Sequence, residues 1–127
     1  PLSASLTSKH VEQVARHADE VEVKAGTVLI RKGDSAHEFI AIEEGTATVT
    51  RDGEVIRTLG PGEFFGELSV LDQMPRVAAV IADEPVACLG IASWDFERLL
   101  LDQPAVGLAI LRGVARRLRE VTEDHTH

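Results

Sequence analysis

Between Phe64 and Val80 the chain brings together a glycine, a carboxylate and an arginine, Gly66, Glu67 and Arg76, at a spacing suited to cradling an anion. Gly66 permits close backbone approach to a ligand. Glu67 to Leu71 is short enough for one helical turn, whose exposed amides attract a phosphate through their donors and partial positive charge. Arg76 supplies the full positive charge. These residues alone describe a generic anion pocket, equally open to sulfate, a sugar phosphate or a nucleotide. The plainer use of Glu67 and Arg76 is a structural salt bridge between them.

A chain of 127 residues must position this stretch, enough for one domain over 1–127 with its own core and no metal or disulfide staples. A formal net charge of -8 argues against non-specific nucleic-acid binding and repels small anions, so an anion site must act at short range. Hydrophobic residues make up 44% of the chain, yet no apolar run reaches the ~18 residues of a membrane span, and no direct membrane insertion is expected. The single cysteine, Cys88, excludes an internal disulfide and a zinc-ligand pair and is compatible with the cytoplasm, the expected location. Starting at Pro1 without a leader, the chain is expected to be a fragment of a larger protein.

Residues 5 to 18 carry Val11, Val14, Ala15 and Ala18 at helical spacing behind Thr7, a suitable N-cap. From Val21 the pattern changes to short β runs: Val21–Val23, Thr27–Ile30, Phe39–Ile42, Thr46–Thr50 and Glu54–Leu59, divided by glycine turns, of which Asp52-Gly53 is the best hairpin signal. Val77–Ala82 and Val86–Ile91 complete the β body. Ser93 is a candidate N-cap for a short helix bearing Trp94, Phe96, Leu99 and Leu100. A last helix, from about Pro104 to Glu123, aligns Val106, Ile110, Val114, Leu118 and Val121 on one apolar face. The expected fold is mainly β with flanking helices: a sandwich or small barrel such as a jelly roll (double-stranded β-helix), with one N-terminal and two C-terminal helices.

Several residues have ordinary readings. Gly26, Gly33, Gly45 and Gly53 suit turns, Trp94 and Phe96 packing on a helix, Met74 a loop and Cys88 the core. His10, His17 and His37 lie apart in polar surroundings, and His125 and His127 sit at a chain end without a third ligand, so metal chemistry is not expected. No nucleophile constellation is present, and the chain is not read as an enzyme.

Phe65-Gly66-Glu67-Leu68-Ser69 and Arg76-Val77-Ala78-Ala79-Val80 resemble the phosphate-binding cassette of cyclic nucleotide-binding domains. Leu29-Ile30, Gly33-Asp34, Ala36, Phe39-Ile40 and Gly45 resemble the family's strand and turn pattern, and the last two helices, about 93–123, stand where the family has its hinge and lid. The resemblance implies that Glu67 accepts from the ribose 2'-hydroxyl and Arg76 pairs with the exocyclic phosphate oxygens, with amides of Gly66, Leu68, Ser69, Val77 and Ala78 completing the site. An acceptor-only carboxylate suits a sugar hydroxyl, and a guanidinium offers two parallel donors to phosphate. Val77 stands where many members carry serine, threonine or alanine; without a hydroxyl there, cAMP is favoured over cGMP. Ala41 replaces a larger apolar residue, which implies local repacking.

The expected function is a regulatory sensor in which cAMP, with cGMP as the alternative ligand, draws the C-terminal helices toward the pocket and so signals to an effector domain in the same or a partner chain. Leu111 or an arginine of the stripe Arg112, Arg116 and Arg119, with Arg117 beside it, is a candidate lid contact. The face through Val106, Ile110, Val114 and Leu118 is expected to pack on the β-roll, a homodimer through this helix being the alternative. No nucleic acid is expected as a partner. The rival reading is a ligand-independent interaction domain that retains the fold.

Overall fold

A computed structural model describes residues 6–30, 38–66 and 78–126. Along the chain run α1 (Ser8–Ala15), β1 (Asp19–Val23), β2 (Val28–Ile30), β3 (Glu38–Glu44), β4 (Ala47–Arg51), β5 (Glu54–Leu59), β6 (Phe64–Phe65), β7 (Ala79–Ala82), β8 (Val86–Ala92), α2 (Ser93–Asp102) and α3 (Pro104–Thr126). The strands form two four-stranded antiparallel sheets, ordered β1-β8-β3-β6 and β2-β7-β4-β5. This is the jelly roll expected, with its flanking helices. No helix among the described residues is long and apolar enough to cross a membrane.

Local chemistry explains the turns that hold the two sheets in register. Asp52 and Gly53 both have positive φ, 53° and 83°, the conformation that joins two twisted strands through a two-residue turn, here β4 and β5. Gly45 is required for two reasons: its φ is +88°, and a Cβ there would lie 2.4 Å from the Pro85 carbonyl oxygen. Glu63, buried just before β6, is accommodated because its carboxylate accepts from the Gly60 amide at 2.9 Å.

Alternate residues of the central strands face two different cores. Phe39 and Ala41 of β3, Leu89 and Ile91 of β8 and Phe64 of β6 join Val14, Phe96, Leu99, Val106 and Ile110 in a layer between the first sheet and the helices. Ile40, Ile42, Phe65, Val86 and Cys88 point the other way, into the space between the sheets with Ala47, Leu59, Val80 and Ala82. A strand covered on both faces reads as a continuous apolar run, which is why Phe39–Ile42 shows no polar alternation. Ala41 is fully buried, opposite Leu89 and Phe64.

Several expectations need correction. The first helix spans only Ser8–Ala15; Thr7 does cap it, accepting from the His10 amide while His10 Nδ1 accepts from the Thr7 amide. Ser93 is not the cap of α2 but its first helical residue, since the chain enters directly from β8 through Ala92 and no side chain caps the turn. Trp94 is 73% exposed and packs little, whereas Phe96 is buried as expected. On α3 the inner stripe runs through Val106, Ala109, Ile110 and Gly113, and Leu118 lies 66% exposed. At about 100° per residue, Leu118 falls a step beyond the position that continues this stripe, and Arg117 falls on it.

Candidate functional site

The cassette stretch is bracketed by strands of different sheets. β6, at the edge of the first sheet, leads into Gly66, and Ala78 leads into β7, which lies between β2 and β4 in the second. The chain thus leaves the first sheet at Gly66 and enters the second after Ala78. Gly66 has φ +92°, a left-handed conformation that a side chain would strain, so the turn that opens the stretch depends on glycine. Ala78 is half-buried at a bend. Glu67, Leu68, Ser69, Arg76 and Val77, along with the helical turn expected from Glu67 to Leu71 and Met74, lie outside the described residues. Of the ligand residues expected, the structure thus places the two backbone gateposts, Gly66 and Ala78.

β6 itself was not among the expected strands. It is two residues long, and its pairing with β3, Phe64 opposite Ala41 and Phe65 opposite Ile40, fixes where the cassette begins. Phe64 turns toward the helices and Phe65 toward the space between the sheets. Above Phe64 lies Arg117 of α3: its guanidinium carbon is 4.6 Å from the ring centroid, and Nη2 donates to the Phe64 carbonyl oxygen. The sequence reading placed Arg117 beside the basic stripe Arg112, Arg116 and Arg119. Its position seven residues after Ile110 and four after Gly113 was the available signal that it continues the buried face. Leu111 and Arg112 are exposed.

The electrostatics separate this region from an acidic groove elsewhere on the first sheet. A groove of about 460 Å³ between α1 and the first sheet is lined by Glu12, Glu20, Glu22, Glu43 and Glu44 among apolar neighbours. Burial, then the hydrogen bond and charge of Glu20 and the charge of Glu44, push the Glu43 carboxyl above its ordinary value. Such a surface repels phosphate and does not compete with the cassette for an anion. Burial first, then the negative charges of Glu38 and Glu43, raise the Cys88 thiol above its ordinary value, which keeps it protonated and suits a core residue rather than a nucleophile. Among the described residues no group of His, Cys, Asp or Glu is arranged to hold a metal ion.

Comparison with known proteins gives a consistent result. The family model described as cyclic nucleotide-binding domain matches residues 20–103. The cAMP-dependent protein kinase regulatory subunit of Hypocrea atroviridis is 33% identical over 100 residues, which cover 79% of this chain and 22% of that protein. The chain therefore spans less than a quarter of that relative's length. Among solved structures, the Thermus thermophilus catabolite activator protein superposes with a TM-score of 0.83 at 27% identity, covering 95% of this chain and 59% of that one. The complex of Sp-2Cl-cAMPS bound to PKAR CBD2 superposes with a TM-score of 0.70 at 25% identity, covering 87% and 75%.

Proposed function

The chain belongs to the cyclic nucleotide-binding domain family, and we propose that it is a regulatory sensor domain, spanning 1–127, that binds cAMP and signals through its C-terminal helices. The observation that carries this reading is that the family match over 20–103 includes the whole cassette, with Gly66 in the left-handed conformation its opening turn requires. Arg76 would clasp the phosphate, amides of Gly66, Leu68, Ser69, Val77 and Ala78 would surround it, and Glu67 would accept from the ribose 2'-hydroxyl. The domain acts by binding and not by catalysis. To signal, the ligand must favour one arrangement of α2 and α3 over another, and its differential affinity sets the size of the response passed to an effector.

A ligand that binds only the folded state stabilises it by about 2.7 kcal/mol at a hundredfold excess over Kd, which for a domain of this size raises the melting temperature by on the order of 10 °C. Thermal denaturation with and without cAMP, with cGMP in parallel, checks this. The absence of any shift at millimolar concentrations of both would favour the rival reading, an interaction domain that keeps the fold without the ligand.

The homodimer through the last helix, the alternative to packing on the β-roll, needs a different face from the one first considered, because Val106 and Ile110 are buried in the protein's own core and Val114 packs against it. An outward stripe remains at Leu108, Leu111, Ala115 and Leu118, with the three-four spacing of a two-helix seam. Arg112 and Arg119 flank the same side of it; antiparallel pairing would set these arginines against each other, so two copies would pair in parallel. Light scattering is expected to give twice the monomer mass, and Leu111→Glu to give the monomer. A monomer at every concentration of the unmodified protein would remove this reading.

A further inference from the structure

The geometry points to Arg117 as a latch that fastens the second half of α3 to the strand from which the cassette departs. The first half of α3 is held by apolar burial through Val106, Ala109, Ile110 and Gly113, with Val114 packed against the same core. Among the described residues that follow, 115–119, Ala115, Leu118 and Arg119 are exposed, and none is buried. Arg117 takes over on the inner stripe. Its guanidinium lies over the Phe64 ring, 4.6 Å from the centroid, and donates to the carbonyl oxygen of the same residue.

This two-point contact suits a planar cation. The delocalised charge rests on the ring's negative face, and the N–H groups in its plane reach the backbone acceptor. Phe64 is itself held firmly: it is fully buried, 5.5 Å from the Phe39 ring, and paired with Ala41. One residue separates it from Gly66. A change in the direction of β6 at the cassette's opening turn thus moves the surface on which Arg117 sits, and the helix beyond Val114 follows. Arg117 is in this sense a positioning residue, acting through Phe64.

The latch can be examined without ligand, and its link to signalling rests on the sensor reading above. Hydrogen exchange of the backbone amides at 115–120 reports opening of that half-helix. In Arg117→Met, which keeps bulk but loses charge and donors, exchange there is expected to be about tenfold faster while the amides of β3 and β8 are unchanged. Arg117→Lys, retaining a cation over the ring but not the fork, should fall between the two. Equal exchange at 115–120 in Arg117→Met and the unmodified protein would overturn the latch. With cAMP, whose binding is followed separately by calorimetry, the change in exchange at 115–120 should be lost in Arg117→Met although the nucleotide still binds; an undiminished change would also overturn it. If the unmodified protein binds no cyclic nucleotide, the sensor reading fails and the ligand-free comparison alone decides the latch.

Discussion

Arg76→Ala is expected to weaken cAMP binding roughly ten- to more than a hundredfold, the equivalent of a charge-assisted pair worth on the order of 1.5 to 3 kcal/mol. The loss should be large because little else can replace the arginine: the formal net charge is -8, so the long-range field opposes an anionic ligand and attraction must come from contacts inside the cassette. Arg76→Lys should recover only part of the affinity, since an ammonium meets the phosphate as a point charge rather than a fork. Titration calorimetry on both variants checks this, alongside the melting temperature without ligand, which should change little. Unchanged affinity in Arg76→Ala would mean that the phosphate is held elsewhere.

The second large effect concerns stability. Phe39→Ala is expected to cost about 3–5 kcal/mol, the range for removing a buried aromatic ring from a core that cannot fully collapse. Phe39 is fully buried and central, with its ring 4.7 Å from Phe96 of α2 and 5.5 Å from Phe64 of β6. It therefore joins α2 to the strand that opens the cassette. Removing it creates a void and also breaks two ring contacts. Because domains of this kind are stable by only about 5–15 kcal/mol, Phe39→Ala risks partial unfolding, and Phe39→Leu, with a smaller loss, supplies a measurable second point in urea denaturation. A loss below about 1 kcal/mol for Phe39→Ala would show that the helices are held to the sheet by something other than this stack.

These two residues differ in what made them legible. Arg76 stands out as a candidate because its type and its spacing from Gly66 and Glu67 form a local chemical pattern. Phe39 was recognisable only as strand and core; that it joins α2 to β6 depends on Phe64 and Phe96 arriving from distant parts of the chain. The hairpin at Asp52-Gly53 and the strand Glu54–Leu59 were readable for the first reason, since turn chemistry and two-residue alternation act between near neighbours. β6 escaped because two residues carry no period. Ser93 misled because a capping residue type marks a helix end only when the preceding chain adopts the cap conformation at that residue, and here Ala92 does.

Turn residues and the two hydrophobic periods pointed to a mainly β sandwich or small barrel with flanking helices, and residue type and spacing marked Gly66, Glu67 and Arg76 as a candidate anion cradle. These features depend on backbone sterics and on chemistry within a few residues of one another. The inward turn of Val106 and Ile110 was also expected, but only the tertiary structure decided how far the covered face extends: that Leu118 turns out, that Trp94 is exposed, and that Arg117 rests on Phe64 across the chain. The physical reason is that a helix's apolar stripe defines a face but not how far along its length a partner surface extends. On α3 the described residues 115–119 include no buried one, and there Arg117 meets the ring and the carbonyl oxygen of Phe64.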